Sequence, residues 1–322
     1  MSYKARCWQW AAGVVVCLTM SLTLWDSAQA QGSPMTQVDS AIQLAATRAM
    51  AGRSGAAVVI EVATGRVLAT YHPEVAVRRL ALPGSSIKTF TLLALLESGK
   101  INEQTILMCK RGLTVGGHNL DCTHPDMKQP FDPVTALAYS CNTYFATLAM
   151  RMTPAELRNG FTNFGFGTPS GLMPNEATGS VALAGTQAEL QMQAIGEWGL
   201  QVTPLELLRG YQKLALLAHN HEAKLAPVFA GLEGSTAYGM GRLAQPDTAM
   251  KVAGKTGTSL VGEGTWRHGW FAGYAPADRP QIALVVFLEK GNGPIDASGV
   301  AREIFAAYAA ARVTANGHGT GR

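Results

Sequence analysis

Apolar runs near both ends of the chain constrain its fold most strongly. Residues 57–62 are mostly β-branched, a Thr-Gly turn follows, and residues 66–70 return as a second run, which predicts a β-hairpin. Residues 250–259, 270–274 and 281–289 predict further strands, the last apolar enough to be central. Because the intervening residues have helical patterns, we predict an α+β fold. Its antiparallel β-sheet is flanked by helices and interrupted by an inserted all-helical subdomain.

The predicted helices fill the middle of the chain and flank the strands. They cover residues 38–51, 86–97, 133–152, 154–164, 187–195, 204–218 and 298–311. We therefore predict one domain over residues 31–311, with the catalytic cleft between the sheet and the helical subdomain. The Gly-rich end, residues 312–322, is predicted to be a flexible tail.

The first thirty residues predict export. Lys4 and Arg6 precede a largely apolar run over residues 8–25, and Ala28 and Ala30 form an A-x-A cleavage pattern. We predict a signal peptide over residues 1–30, with an uncleaved membrane anchor as the alternative; either sends the protein to the periplasm or cell envelope. Apolar residues make up 47% of the chain and no basic cluster is present, so nothing indicates a nucleic-acid partner.

Three cysteines lie beyond the predicted signal peptide. Cys109 and Cys122 are close enough in sequence to close a short loop, which predicts a disulfide in an oxidising compartment. Cys141 would then be a free thiol. A zinc site formed by Cys109, His118, Cys122 and His124 is the alternative, since these residue types are the usual ligands of zinc.

The first candidate catalytic motif is Ser-Ser-Ile-Lys at residues 85–88, directly after a Pro-Gly pair. With Ser85 at the start of a helix, Lys88 lies one turn along on the same face. A serine needs a neighbouring base to become a nucleophile, and apolar surroundings lower the pKa of a lysine, as a lysine base requires. An N-cap serine followed by a solvated lysine is the ordinary structural explanation of the same pattern.

The second motif is Ser140-Cys141-Asn142, within an Ala-rich helical stretch. Ser140 could relay protons between Lys88 and a leaving group. Asn142 offers both a donor and an acceptor to a substrate amide. Alone, the motif could equally be a polar patch on a helix.

The third motif is Lys255-Thr256-Gly257-Thr258, at the end of a predicted strand. Lys255 and the hydroxyls of Thr256 and Thr258 can bind a carboxylate. Gly257 allows a substrate backbone to approach the strand edge. The N–H groups of Thr258 and Ser85 could form an oxyanion hole.

Together, in this order, the three motifs resemble those of the transpeptidase domain of penicillin-binding proteins. The resemblance runs from about residue 57 to residue 308 and includes further segments, at residues 82–85, 139–145, 194–196, 202–205 and 270–276. Glu197 departs from it, because the family often has glutamine at this position.

The resemblance implies attack of Ser85 on a D-Ala-D-Ala peptide, with Lys88 as base and Ser140 as relay. An amine or water then resolves the acyl-enzyme. β-Lactams should acylate the same serine, the partners would be peptidoglycan stem peptides and cell-wall synthesis proteins, and no cofactor is implied.

Two other functions remain open. A class D-like serine β-lactamase would share Ser85, Lys88 and the Lys-Thr-Gly motif, but usually has valine where this chain has Asn142. The other is a β-lactam sensor or an inactive penicillin-binding module, which would be acylated without turnover.

Overall fold

The structure is a computed structural model that describes residues 36–261 and 266–317. The predicted signal peptide, residues 1–30, lies outside the described residues. Within them, no helix is both long and apolar enough to cross a membrane.

Helices and strands of very different lengths follow one another along the described residues. The helices are α1 (Gln37–Met50), α2 (Pro73–Arg78), α3 (Lys88–Glu97), α4 (Pro133–Ala138), α5 (Asn142–Ala149), α6 (Pro154–Asn163), α7 (Gln187–Ile195), α8 (Pro204–Leu217), α9 (Ala226–Ala237) and α10 (Ser298–Gly317). The strands are β1 (Gly55–Glu61), β2 (Val67–Tyr71), β3 (Thr114–Val115), β4 (His118–Asn119), β5 (Ser180–Val181), β6 (Leu200–Gln201), β7 (Ala253–Val261), β8 (Trp266–Ala275) and β9 (Ile282–Leu288). Short 3₁₀ turns cover Gly84–Ile87, Ala223–Leu225 and Arg242–Ala244, and a π turn covers Gly293–Ala297.

The main sheet has five antiparallel strands in the order β2-β1-β9-β8-β7. The side chains of β9 alternate between two hydrophobic clusters: Ala283, Val285 and Phe287 join the core on the helical-subdomain side, and the intervening residues join the core under α1 and α10. Burial on both faces explains why residues 281–289 are almost uniformly apolar. The predicted α+β fold, with an antiparallel sheet flanked by helices, is confirmed.

Helices α2 to α9 occupy the chain between β2 and β7, where the sequence predicts an all-helical insertion. The segment is not all helical, because it also contains the two-stranded sheets β3-β4 and β5-β6. Helix α3 is the centre of this part, since nine of its ten residues are buried, including Lys88. A buried lysine at the start of such a helix needs polar partners, because an unpaired buried charge is costly.

The structure differs from the predicted helices in several places. The predicted helix over 133–152 is divided at residues 139–141, where Ser140 has a positive φ of 59° that an α-helix cannot contain. Helix α9 was not predicted, because Gly231 and Gly234 lower its helix propensity. A Cβ at Gly231 would lie 2.9 Å from the Leu137 side chain, so the glycine allows α9 to pack closely on α4. Helix α10 continues to Gly317, beyond the predicted start of the tail at residue 312.

Candidate active site

Glycines bring the turn that carries Ser85 against the edge strand β7. Gly84 has a φ of +52°, and a Cβ there would lie 2.3 Å from the carbonyl oxygen of Thr258. On the strand side, a Cβ at Gly257 would lie 2.5 Å from the carbonyl oxygen of Pro83. Only glycine fits both positions, so the Pro-Gly-Ser and Lys-Thr-Gly motifs are in direct backbone contact.

Ser85 and Ser86 differ in what surrounds their hydroxyl groups. Ser86 is buried, and its Oγ donates to the carbonyl oxygen of Pro83 at 2.7 Å. Ser85 lines a cavity, and within the described residues its hydroxyl has no hydrogen-bond partner. The same cavity is lined by other motif residues: Ser140, Asn142, Thr256 and Thr258. Ser85 is therefore the serine of the pair that a ligand can reach.

Two fully buried lysines meet at Ser140. Lys88 Nζ donates to the Ser140 carbonyl oxygen at 2.8 Å, to Ser140 Oγ at 3.3 Å, and to Asn142 Oδ1. Lys255 Nζ donates to the same Oγ at 2.9 Å and to the Thr256 carbonyl oxygen at 3.0 Å. Burial lowers the pKa of Lys88 to about 8. Burial, followed by the nearby charge of Lys88, lowers the pKa of Lys255 well below its usual range. The Lys88 amine is therefore suited to proton transfer near neutral pH.

The break between α4 and α5 is what places Ser140 between the lysines. Asp132 caps α4, its Oδ1 accepting from the Thr135 N–H at 2.7 Å, and α4 ends six residues later. The left-handed conformation of Ser140 then turns the chain before Asn142 begins α5. Asn142 is fixed from its other end, where Nδ2 donates to the Leu120 carbonyl oxygen at 2.8 Å. A helix through these residues, as the sequence predicts, would separate this set.

The Lys-Thr-Gly strand forms another wall of the cavity. Thr256 and Thr258 line it, whereas Lys255 lies behind Ser140 with no exposed surface. Thr258 Oγ1 accepts from the Gly293 N–H at 3.0 Å, which ties the strand to the π turn. The structure thus brings the predicted catalytic and substrate-binding residues together, within hydrogen-bonding distance or along one cavity, except Gly257, which packs against the Pro83 backbone.

Glu197 also lines this cavity, a position that sequence reasoning registered only as a departure from the family. The Glu197 N–H donates to the Met192 carbonyl oxygen at 2.9 Å across Gly196 (φ +83°), which closes α7 with a Schellman-type end. Burial raises the pKa of Glu197 to about 7, against the opposing charges of Lys88 and Arg267. A carboxyl group that titrates near neutrality therefore borders the same cavity as Ser85.

The predicted Cys109–Cys122 disulfide is not formed in this structure, where all three cysteines are free thiols. The Sγ atoms of Cys109 and Cys122 are 3.5 Å apart, and Cys122 Sγ is also 3.8 Å from Cys141 Sγ. His124 Nε2 lies 3.5 Å from Cys109 Sγ. Sequence proximity suggested one pair, but the fold brings a third thiol and an imidazole to the same place.

These four side chains offer the ligand set of a tetrahedral zinc site. Their donor atoms all lie within 4.8 Å of one another, and three of the four residues are buried. Three thiols and one imidazole match a common structural zinc centre. The zinc alternative in the sequence named His118 as a ligand, but the cluster has Cys141 in its place, and His118 is exposed on β4. Hydrogen bonding from Cys141, then from His124 and Thr143, lowers the pKa of Cys122 and favours a thiolate there.

Known proteins resemble this chain in sequence and in fold. The family model for the penicillin binding protein transpeptidase domain matches residues 55–310. Peptidoglycan D,D-transpeptidase MrdA of Acinetobacter baumannii is 25% identical, over 83% of this chain and 52% of that protein. Peptidoglycan D,D-transpeptidase PbpA of Mycobacterium tuberculosis is also 25% identical, over 76% of this chain and 64% of that protein. The chain thus spans about half to two thirds of the length of these relatives.

Solved structures agree on the fold. The crystal structure of Pseudomonas aeruginosa PBP2 in complex with WCK 5153 has a TM-score of 0.73 and 25% identity, and covers 83% of this chain and 76% of that one. The D,D-transpeptidase domain of an Eggerthella lenta peptidoglycan glycosyltransferase has a TM-score of 0.71 and 23% identity, over 87% of this chain and 82% of that one. With the family model covering most of its length, the chain belongs to the penicillin-binding protein transpeptidase domain family.

Proposed function

We propose that this protein is an exported peptidoglycan D,D-transpeptidase or D,D-carboxypeptidase that forms an acyl-enzyme at Ser85. The observation that carries this proposal is the position of Ser140 Oγ. It lies 3.3 Å from Lys88 Nζ and 2.9 Å from Lys255 Nζ, at the wall of the cavity that Ser85 lines.

In the acylation step, the neutral amine of Lys88 takes the proton of Ser85 as Oγ attacks the carbonyl carbon of the penultimate D-Ala. The proton then passes through Ser140 to the departing D-Ala amine. The pKa of Lys88, near 8, gives a usable fraction of neutral amine at physiological pH. The N–H groups of Ser85 and Thr258 receive the developing oxyanion. Thr256 binds the terminal carboxylate, with the buried Lys255 amine behind it as the source of positive charge, and Asn142 binds a substrate amide.

Export rests on the sequence of residues 1–30, and the periplasm or cell envelope is where such a substrate lies. Family membership supports peptidoglycan stem peptides as substrates and β-lactams as covalent ligands. It also supports other cell-wall synthesis proteins as partners.

A class D-like β-lactamase is the second candidate, and two hydrogen bonds of Lys88 count against it. Turnover in that class depends on a carbamylated lysine in a dry pocket. The Lys88 amine here is instead hydrogen-bonded to both Ser140 and Asn142. We expect penicillin adducts to persist for minutes or longer and bicarbonate to have little effect. Nitrocefin turnover of many per second, enhanced by bicarbonate, would favour the β-lactamase.

Labelling with fluorescent penicillin tests the proposal. We expect the label on Ser85, complete loss in Ser85→Ala, and most of the label retained in Ser86→Ala, since the Ser86 hydroxyl is held by Pro83. Ser86→Ala is the matched control, one residue away in the same turn. An adduct mapped by peptide mass to any residue other than Ser85 would refute the assignment.

A further inference from the structure

Glu197 occupies a fixed position beside the turn that carries the nucleophile. The Gly84 N–H donates to the Gly196 carbonyl oxygen at 3.2 Å, and a Cβ at Gly196 would lie 2.1 Å from the Gly84 carbonyl oxygen. The end of α7 is thus docked on the residue before Ser85. Because Glu197 follows Gly196 directly and its own N–H is held in the helix end, its backbone cannot move away from Ser85 independently.

Two sheet residues line the cavity with Glu197 and act on its carboxyl group. Leu260 on β7 pairs with Arg267 on β8, and both line the cavity with Glu197. Lys88 and Arg267 favour the carboxylate form, and Asp121 is the other acidic residue that lines the cavity within the described part of the chain. Ser85 therefore has amine groups on its Ser140 side and a carboxyl group on its α7 side.

The mechanism proposed above leaves one proton unassigned. In the second half-reaction an amine or a water molecule attacks the acyl-enzyme, and it must lose a proton as it bonds to the acyl carbon. The Lys88 amine is enclosed by Ser140 and Asn142, on the buried side of the nucleophile. A base that itself lines the cavity, where the acceptor enters, could take this proton directly and without the Ser140 relay.

We propose that Glu197 is the general base of the second half-reaction, taking the proton of the acyl acceptor. This inference rests on the proposed function. The acceptor atom bonds to the acyl carbon and its proton passes to the Glu197 carboxylate. The bond from the acyl carbon to Ser85 Oγ breaks, and Oγ regains a proton from the Lys88 ammonium, which solvent protonates between the two half-reactions. Solvent then takes the proton of Glu197, and Lys88 is left neutral for the next acylation.

The protonation of Glu197 suits this role. With a pKa of about 7, it is substantially ionised at neutral pH and becomes protonated below it. The base form is therefore lost as the pH falls through 7, and deacylation should slow over that range. Glutamine, which the family often has at this position, retains the shape and hydrogen bonding of the side chain but cannot accept a proton.

The test compares Glu197→Gln and Glu197→Asp with wild type, on both half-reactions. Stopped-flow measurement of penicillin acylation reports the first step, and loss of the purified adduct reports hydrolysis. A thioester acyl donor, with and without a D-amino acid as amine acceptor, separates aminolysis from hydrolysis. Asp121→Asn is the control, because it removes a negative charge from the same cavity but retains the Oδ1 that accepts from the Leu113 N–H.

We expect Glu197→Gln to acylate within about threefold of wild type and to deacylate at least tenfold more slowly, since a general base contributes about 10²–10⁴-fold. The fall in deacylation rate below pH 7 should disappear in Glu197→Gln and return in part in Glu197→Asp. Asp121→Asn should deacylate like wild type. A slower reaction with the amine alone identifies an amine acceptor, and slowing of both acceptors identifies a base shared with water.

Three results would overturn the inference. They are an unchanged deacylation rate in Glu197→Gln, a wild-type pH profile in that variant, and an equal loss in the acylation step, which would indicate support of the nucleophile turn. Failure of wild type to be acylated at Ser85 would instead refute the proposed function.

Discussion

The turn at residues 140–142 separates two buried groups of side chains: the lysine amines on one side, here called the amine side, and the cysteine thiols on the other, the thiol side. On one side, Ser140 and Asn142 accept hydrogen bonds from Lys88, and Ser140 also accepts from Lys255. On the other, Cys141 meets the thiol of Cys122. Burial dominates for the amines and lowers their pKa toward the neutral form, whereas hydrogen bonding dominates for Cys122 and lowers its pKa toward the charged form. Burial alone therefore does not decide the charge of a group; its hydrogen-bond partners do.

The largest effect is expected at the amine side. Lys88→Ala should slow penicillin acylation by about 10²–10⁴-fold, because the base is lost and Ser85 reverts to an ordinary alcohol. In wild type, acylation should rise with pH up to about 8, as Lys88 loses its proton, and this rise should be absent in the variant. Stopped-flow kinetics against pH measures both. Circular dichroism should show a folded variant, and acylation at the wild-type rate would remove Lys88 from the mechanism.

On the thiol side, the prediction is that the cysteine–histidine cluster binds zinc, and measuring the metal content of the protein tests it. We expect the purified protein to bind one zinc ion per chain, and His124→Ala to weaken binding at least about 100-fold. That estimate shares the roughly 10–16 kcal/mol of a structural zinc site among four ligands. His118→Ala is the matched control, because His118 is exposed and outside the cluster.

Competition with a chromophoric chelator gives these affinities, and alkylation of the metal-free, denatured protein should label three thiols. A single label per chain would instead indicate that Cys109 and Cys122 form the predicted disulfide. Equal loss of zinc in both histidine variants would show that the cluster is not the site.

The two sides also differ in how far the sequence predicted them. The candidate catalytic residues could be picked out from the sequence because they lie in recognisable motifs, and Lys88 follows Ser85 by one helical turn. The thiol cluster was predicted only in part: the zinc alternative named three of its members but not Cys141. Cys141 approaches Cys122 only through the left-handed conformation of Ser140, where the local sequence predicts a continuous helix. The strands were recognised for a simpler reason: burial on both faces leaves an apolar run in the sequence.

A smaller effect should separate the two lysines. Lys255→Ala should weaken acylation by β-lactams that carry a free carboxylate by about 10–150-fold, equivalent to a charge-assisted hydrogen bond of about 1.5–3 kcal/mol. A methyl ester of the same penicillin is the control, because it lacks the negative charge and should lose much less. Competition with fluorescent penicillin measures the second-order rate constants. An equal loss for acid and ester would assign Lys255 to holding Ser140 instead of binding the carboxylate.

The smallest expected effect is the influence of the Cys122 thiol on the pKa of Lys88, which links the thiol side to the amine side. After burial, the charge of Cys122 is the next influence on Lys88, and it raises the pKa of that amine. Cys122→Ser removes the thiolate, so the pKa of Lys88 should fall and the pH midpoint of acylation should move down by less than about one unit. Cys109→Ser is the matched control in the same cluster, because Cys109 has the weakest of the named influences on Lys88. Both variants are compared after zinc removal, so that metal loss is common to all samples. A midpoint that moves upward in Cys122→Ser, or moves further in Cys109→Ser, would contradict this coupling. An unchanged midpoint in both variants would mean that the amines and the thiols titrate independently.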